Sequence, residues 1–376
     1  MPLAWPGEGM AVSLLEVTDL HVSFSTADGV VKAVRGVSFG VDSGRTLGIV
    51  GESGSGKTVL TQTLLGLTPG AKISGHAVFD GTDLLQLNDN DMRNIRGAQI
   101  AVIFQDPLTS LHPLYKVGWQ IAEMIRAHEK SVSKKEANDR AVDLLRRVGI
   151  PRPETRVNDY PHQFSGGMRQ RAMIAMALSL SPKLIIADEP TTALDATVQA
   201  QILDLLLRLQ QEYHTALIMI THDLGVVADI ADDVMVMYAG RAAEKAAKRD
   251  VFYAPHHPYT KGLLESIPSS AAAGGRLKPI PGSPPSLIHL PAGCKFHPRC
   301  GYVLDRCLTE EPELRPLGED AYHTSACWLP VRSAGLSEQA EELRVQTVQE
   351  GRGEAAGEVF DAETAGAFGI DGSVAG

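Results

Sequence analysis

The stretch GESGSGKT, from Gly51 to Thr58, constrains this chain more than any other because it fits the pattern G-x-x-x-x-G-K-S/T. The apolar run RTLGIV precedes it and the helix-like run KTVLTQTLLGL follows it. Glycines in such a loop allow backbone N–H groups to surround phosphate oxygens, Lys57 supplies a cation, and the Thr58 hydroxyl suits Mg²⁺. The alternative is a glycine-rich turn that matches by accident. The predicted phosphate-binding residues are Gly51, Glu52, Ser53, Gly54, Ser55, Gly56, Lys57 and Thr58.

A second apolar run, LIIADEP, ends in two adjacent acids, Asp188 and Glu189. In nucleotide hydrolases with a loop of this type, an acid at the end of a strand holds Mg²⁺. A neighbouring acid can polarise the attacking water. The alternative is an acid pair that caps a helix or faces solvent. Together with the loop, the acids predict a Mg²⁺-dependent nucleotide hydrolase.

Strand-like and helix-like segments alternate along the chain, which predicts an α/β fold with a mostly parallel sheet covered on both faces. Residues 115–127 and 134–148 are predicted helices. The helical block near 107–180 interrupts the alternation and is a candidate subdomain. A later predicted helix carries an apolar stripe formed by Ile202, Leu205, Leu206 and Leu209.

The net charge of −10 argues against nucleic acid as a main partner. No apolar stretch is long enough and uncharged enough for a membrane span, and the N-terminus lacks the features of a signal peptide. These observations predict a soluble, cytosolic chain with reduced cysteines. From Val331 onward there are nine acidic and three basic residues, and this tail is predicted to be disordered.

Four further motifs appear in a characteristic order. VIFQDP contains Gln105, FSGGMRQR contains the Ser-Gly-Gly run, TTALDA follows the acid pair, and ITHD contains His222. With the loop and the acids, this order resembles the ATP-binding subunits of ABC transporters over about residues 14–330. The resemblance implies a P-loop NTPase fold of the ABC ATPase type, with ATP and Mg²⁺ as ligands.

The resemblance also implies a role for each matching residue. Glu189 would be the catalytic base, His222 would hold the γ-phosphate and the water, and Gln105 would contact Mg²⁺ and the water. Thr58 and Asp188 would complete the Mg²⁺ ligands.

The remaining matches imply contacts beyond this chain's own phosphate loop. The signature residues Ser165, Gly166 and Gly167 would bind ATP held by a second subunit, and Asp195 would lie at the interface between the two. Two such domains would therefore meet head to tail around two nucleotides. Phe24 occupies the position of an adenine-stacking aromatic, although a strand phenylalanine can equally belong to the core.

Several longer stretches, such as FQDPLTSLHPLYKVGWQIAE, HHPYTKGLLESIP and PIPGSPPSLIHLPAGC, resemble the oligopeptide, dipeptide and nickel importer ATPases. The signature departs from its commonest form at Phe164 and Met168, and both variants occur in this branch. The SGGM and IAMAL forms resemble the D-type subunit, which pairs with a homologous F-type ATPase. The resemblance implies two membrane permease subunits, an extracytoplasmic substrate-binding protein and a location at the cytoplasmic face of the membrane.

The function expected from this resemblance is an ATPase subunit that powers peptide import. One alternative is an importer of nickel or another solute. A second is a soluble ABC ATPase of DNA repair or translation, which the acidic net charge and the lack of a second ATPase module disfavour.

The four cysteines, Cys294, Cys300, Cys307 and Cys327, all lie near the end of the chain, separated by 5, 6 and 19 residues. Disulfides are disfavoured in a reducing compartment. Structural zinc usually uses closer cysteine pairs, although nearby histidines could contribute. A 4Fe–4S cluster suits wider spacings, and cysteines in this region bind one in some members of the branch. Buried, unliganded thiols are the remaining alternative.

Three basic residues between the cysteines, Lys295, Arg299 and Arg306, could offset the negative charge of a cluster. The predicted organisation of the chain is an ATPase domain over residues 12–254, a helical subdomain at about 106–180, a cysteine-containing C-terminal domain over 255–330 and an acidic tail over 331–376.

Overall fold

The structure is a computed structural model that describes residues 13–192, 194–266, 279–318 and 320–331. The predicted boundary at residue 12 and the acidic tail from residue 332 lie outside the described residues. Residues up to Trp328 form one compact unit, to which the description below applies.

The strands are β1 Leu15–Thr26, β2 Gly29–Val41, β3 Thr46–Val50, β4 Lys72–Phe79, β5 Thr82–Asp83, β6 Ile100–Ile103, β7 Leu184–Asp188, β8 Ala216–Thr221, β9 Asp233–Tyr238, β10 Arg241–Ala247, β11 Arg315–Leu317 and β12 Asp320–Ser325. The helices are α1 Lys57–Leu64, α2 Asp89–Ile95, α3 Pro107–Ser110, α4 Val117–His128, α5 Lys134–Arg147, α6 Pro153–Arg156, α7 Gly166–Ala177, α8 Ala196–Tyr213, α9 Leu224–Ile230, α10 Lys248–Tyr253, α11 Pro258–Glu265 and α12 Asp305–Thr309. Short 3₁₀ turns occupy Leu84–Gln86, Pro161–Gln163 and His297–Arg299.

The strands form two sheets. The first is antiparallel, with the order β2-β1-β4-β5. The second has the order β11-β12-β10-β9-β3-β8-β7-β6, in which β6, β7, β8, β3 and β9 are parallel and β10, β12 and β11 are antiparallel. The predicted α/β fold with a mainly parallel sheet is therefore confirmed.

The parallel strands lie in the middle of the molecule. Every residue of β3, β7, β8 and β9 is buried, as expected for strands covered on both faces. Because strands of this kind end at the same edge of the sheet, the loop after β3 and the acids at the end of β7 are brought together.

The predicted helical block is present between β6 and β7 and contains α3 to α7. The predicted helices at 115–127 and 134–148 correspond to α4 and α5. In α5, the Ser133 hydroxyl accepts a hydrogen bond from the backbone N–H of Glu136 at 3.1 Å, which caps the first turn. The predicted apolar stripe of α8 is buried.

The C-terminal residues add strands that the sequence patterns did not predict. Strand β12 pairs with β10, so that it extends the central sheet, and β11 pairs with β12. Across this junction the Glu244 carboxylate, whose side chain is fully buried, accepts a hydrogen bond from His323 at 2.7 Å. Among the described residues, no helix is long and apolar enough to cross a membrane.

Candidate functional site

The phosphate loop follows β3 and leads into α1, as predicted. Gly51 and Gly56 have φ angles of 153° and 100°. A Cβ atom at Gly51 would lie 2.2 Å from the Met237 carbonyl oxygen, and one at Gly56 would lie 2.2 Å from the Ala33 carbonyl oxygen. Only glycine fits at these two positions, because both the backbone angle and the close carbonyl exclude a side chain.

Lys57 lies inside the loop, with its side chain buried. Its ammonium group donates to the carbonyl oxygens of Gly51 at 2.7 Å and Glu52 at 3.0 Å. Burial lowers the pKa of Lys57, and the charges of Glu189 and Asp188 oppose that effect. The loop therefore holds a cation ready for an anionic ligand.

Asp188 is the last residue of β7 and faces the first turn of α1. Its carboxylate accepts a hydrogen bond from the Thr58 hydroxyl at 3.2 Å. Burial raises the pKa of Asp188, and the neighbouring Glu189 raises it further. A buried carboxylate beside a threonine hydroxyl is an oxygen donor set that fits Mg²⁺, which would relieve the unfavourable burial of the charge.

Glu189 lies at the centre of the predicted catalytic residues. Its carboxylate is 3.3 Å from the Gln105 amide nitrogen, 3.0 Å from the Thr192 hydroxyl and 3.4 Å from Nδ1 of His222. Gln105, Glu189 and His222 come from the loops that follow β6, β7 and β8 respectively. The structure thus brings together Gln105, Glu189 and His222.

The backbone of Glu189 is in the left-handed region, with a φ angle of 47°. Its N–H donates to the Ile220 carbonyl oxygen at 2.9 Å, which holds the residue against β8. A non-glycine residue in this region is strained, and such strain is concentrated at functional sites. The sequence contained no signal for this conformation.

The signature residues begin a different helix. The Ser165 hydroxyl caps α7 and accepts a hydrogen bond from the backbone N–H of Met168 at 3.3 Å. A Cβ atom at Gly167 would lie 3.0 Å from Val198 of α8, and α8 is itself capped by Asp195, which accepts from the Val198 N–H at 2.9 Å. The structure therefore places the signature beside the start of α8.

Phe24 is half-buried in β1 and packs against the core of the antiparallel sheet. This position is that of a core phenylalanine, the alternative to adenine stacking, although part of the ring remains exposed.

One set of contacts to the loop was missed by the sequence interpretation. Arg299, which was assigned to charge compensation between the cysteines, instead donates to the Glu52 carboxylate at 2.6 and 2.9 Å. The Tyr259 hydroxyl accepts a hydrogen bond from the Glu52 N–H at 2.8 Å. The other two basic residues are also paired, Lys295 with Glu311 and Arg306 with Glu310.

None of the four cysteines forms a disulfide. Burial raises the pKa of Cys300 to about 12, and Cys327, Cys294 and Cys307 add to that effect. Two of the four cysteines are in backbone contact, because the Cys294 N–H donates to the Cys307 carbonyl oxygen at 2.8 Å. Within the part of the chain that the structure describes, no three His, Cys, Asp or Glu side chains are arranged to hold a single metal ion.

Two family models match the chain. The one described as ABC transporter matches residues 34–192, and the one described as Oligopeptide/dipeptide transporter, C-terminal region, matches residues 243–307.

Known proteins of similar sequence cover most of the chain. The oligopeptide transport ATP-binding protein OppD of Bacillus subtilis is 52% identical over 320 residues, which are 84% of this chain and 88% of the relative. The dipeptide transport ATP-binding protein DppD of the same organism is 51% identical over 319 residues, which are 84% of this chain and 94% of the relative.

A solved structure extends the comparison to the fold. It is a dimeric, post-hydrolysis state of the ATP-binding cassette MJ0796 bound to ADP and Pi, and it covers 62% of this chain and 99% of its own. The TM-score is 0.57 at 26% sequence identity. The chain therefore belongs to the oligopeptide and dipeptide transport ATP-binding proteins, and it is an ATPase of the ABC transporter family.

Proposed function

We propose that this chain binds and hydrolyses ATP to power the import of dipeptides or oligopeptides. The observation that carries the proposal is the convergence of Lys57, Thr58, Asp188 and Glu189 at one edge of the parallel sheet, with Gln105 and His222 beside Glu189. Support for peptides as the transported solute comes from the relatives, whose names specify oligopeptide or dipeptide transport.

In the proposed reaction, Lys57 and the backbone N–H groups of the loop bind the β- and γ-phosphates. Thr58 and Asp188 would hold Mg²⁺, with Gln105 contributing to the same site, and the ion would supply positive charge beside the phosphate oxygens. Glu189 polarises the attacking water, and His222 orients that water and the γ-phosphate.

Replacing Glu189 by glutamine tests the assignment of the base. The substitution Glu189→Gln preserves the size of the side chain but removes its basicity, so we expect ATP turnover to fall by about 100-fold or more while ATP binding is retained. The matched control is Glu136→Gln, an exposed acid in the first turn of α5, which should leave turnover unchanged. Unaltered turnover in Glu189→Gln would contradict the assignment.

We also propose that the signature acts on ATP held by a second ATPase. Ser165 begins α7, so that its helix N-terminus and hydroxyl can face an anion, as in other helix N-terminal phosphate sites. Asp195 caps α8 beside the signature, on the surface where the second subunit would bind. The partner is proposed to be a homologous F-type ATPase, which makes a heterodimer.

Light scattering of the Glu189→Gln variant with ATP distinguishes the assemblies. A dimer that forms only after the homologous subunit is added supports the heterodimer. A dimer that forms from this chain alone contradicts it.

The proposed assembly also contains two membrane permeases and an extracytoplasmic binding protein, with this chain at the cytoplasmic face. A strain that lacks the chain should lose uptake of labelled peptide, and wild-type chain but not Glu189→Gln should restore it. Restored nickel uptake with unchanged peptide uptake would favour the nickel alternative.

For the cysteines, the proposal is a 4Fe–4S cluster, and its support is the wide spacing of the four cysteines in the sequence together with the backbone hydrogen bond from the Cys294 N–H to the Cys307 carbonyl oxygen. A cluster needs a wider arrangement of thiolates than one zinc ion does. Analysis of iron, sulfide and zinc in anaerobically purified protein tests it. If the protein contains one zinc per chain and no iron, the cysteines bind zinc and the cluster proposal is wrong. If it contains no iron and no zinc, the cysteines are reduced thiols without a metal.

The proposed domain boundaries are residues 12–254 for the ATPase domain, about 106–180 for its helical subdomain and 255–330 for the C-terminal domain. The continuous helical block α3 to α7 supports the subdomain. The C-terminal family match begins at residue 243, inside β10, which supports a close connection between the two domains.

A further inference from the structure

The C-terminal cysteine region contacts the phosphate loop through Arg299. Both terminal nitrogens of its guanidinium group donate to the Glu52 carboxylate, and its Nε donates to the Pro281 carbonyl oxygen at 2.8 Å. The arginine side chain is only 4% exposed, whereas the Glu52 side chain is 27% exposed. A two-pronged, buried pair of this kind has a well-defined geometry.

The backbone of Glu52 is held from the same direction. Its N–H donates to the hydroxyl of Tyr259, a fully buried residue of α11. Its carbonyl oxygen accepts a hydrogen bond from Lys57. The main chain and the side chain of this loop residue are therefore both fixed by residues that follow the ATPase motifs.

The negative charge of Glu52 matters for the binding of an anionic ligand in the loop. The loop must receive a polyphosphate, and an uncompensated carboxylate at Glu52 would repel it. Arg299 neutralises the carboxylate, and its two hydrogen bonds restrict rotation of the Glu52 side chain. Arg299 lies immediately before Cys300 in the sequence, so the contact with Glu52 connects the cysteine region directly to the loop.

We propose that Arg299 is a positioning residue for ATP binding, which neutralises and fixes Glu52 so that the C-terminal region sets the affinity of the phosphate loop for ATP. This inference rests on the proposed role of the loop as the ATP site.

The test compares the KM for ATP and kcat in full-length variants, each assembled with the partner ATPase. In Arg299→Gln, we expect the KM for ATP to rise about tenfold or more, the size typical for loss of a hydrogen bond to a charged group, with little change in kcat. In the double variant Glu52→Gln with Arg299→Gln, the repelling carboxylate is also gone, and KM should return to within about threefold of the wild-type value. Arg306→Gln, in the same region but paired with exposed Glu310, is the control and should not change KM.

The outcomes separate positioning from a structural role. A KM that is unchanged in Arg299→Gln overturns the proposal, and so does a double variant that binds ATP as poorly as the single one. If Arg299→Gln does not fold, Arg299→Lys, which keeps the charge but not the two-pronged contact, should raise KM about threefold, and an unchanged KM overturns the proposal. A wild-type complex of this chain with the partner ATPase that does not hydrolyse ATP would contradict the proposed function itself.

Discussion

At the scale of single residues, the site depends on backbone positions that no side chain could occupy. Gly51 and Gly56 pass so close to carbonyl oxygens of β9 and β2 that the loop is packed against both sheets. Glu189, in contrast, is a residue with a charged side chain whose backbone adopts a strained, left-handed φ angle.

Replacing Gly56 by alanine should distort the loop. The new Cβ atom would lie 2.2 Å from the Ala33 carbonyl oxygen, so we expect loss of ATP binding and destabilisation by about 2 kcal/mol or more. Gly81→Ala is the matched control, because Gly81 also has a positive φ angle but nothing within 4 Å of the new atom. That change should cost about 1 kcal/mol and leave ATP turnover unchanged. Normal ATP affinity in Gly56→Ala would contradict the expectation.

At the scale of elements, ion pairs connect the N-terminal hairpin to the cysteine region. Arg35 of β2 donates twice to the Glu311 carboxylate, at 2.8 and 2.6 Å, and Lys295 and Arg241 lie within 3.6 Å of the same group. A partly buried acid shared by three cations is worth more than an exposed pair, since removing it leaves several charges without compensation.

The variant Glu311→Gln should therefore lower the free energy of unfolding by about 2 kcal/mol. The neighbouring Glu310→Gln removes an acid whose pair with Arg306 is more than half exposed, and it should change stability by less than about 0.5 kcal/mol. Denaturant unfolding of both proteins measures the difference. Equal effects of the two substitutions would show that the Glu311 cluster contributes no more than an exposed pair.

A second element-level feature is the buried start of α11. His257 caps this helix, and its Nδ1 accepts a hydrogen bond from the Tyr259 N–H at 3.0 Å. Burial lowers the pKa of His257 to about 4, whereas Glu244 opposes that shift and His256 and Lys261 add to it. The imidazole is thus neutral in the folded protein at pH values where the unfolded chain is protonated.

Stability should therefore depend on pH between about 6.5 and 4. Below the unfolded pKa of about 6.5 the unfolded state binds one more proton, so this residue reduces stability by about 1.4 kcal/mol per pH unit as the pH falls toward 4. His257→Asn preserves a side-chain acceptor for the helix cap and removes the titrating group. Between pH 6.5 and 4, the unfolding free energy of this variant should fall less steeply with decreasing pH than that of the wild-type protein. Identical pH slopes for the two proteins would contradict the expectation.

At the scale of the whole molecule, the C-terminal region completes the ATPase sheet. Strand β12 covers the edge of β10, and Arg299 and Tyr259 reach back to the phosphate loop. An uncovered edge strand with unpaired backbone groups is a site for aggregation. The C-terminal region is therefore part of the structural support of the ATP site.

Truncation separates the two parts of the C-terminus. A chain that ends after Ala254 should aggregate, because β10 loses its neighbour and the loop loses its supports. A chain that ends after Val331, without the acidic tail that was predicted to be disordered, should keep the melting temperature and ATP turnover of the full-length protein. Sedimentation and thermal unfolding of both chains test this, and a stable, active chain ending at Ala254 would contradict the supporting role.

Much of the ATP site could be predicted from the sequence because its parts are local patterns. The loop from Gly51 to Thr58, the acids after β7 and the cap of α7 at Ser165 depend on residues that are neighbours in the chain. The apolar runs of the parallel strands likewise identified the sheet. The pairing of β12 with β10 was not predictable, since a strand of six residues with the sequence DAYHTS carries little apolar pattern.

The sequence by itself determined which groups are present for phosphate and metal binding, because glycine, lysine and carboxylate chemistry depends on residue type and short spacing. Only the tertiary structure decided how those groups are supported. Arg299 and Glu52 are separated by 247 residues, so their contact exists only once β12, α11 and the cysteine region have packed on the ATPase core. The physical reason is that a long-range ion pair depends on the positions of whole elements, which no local pattern specifies.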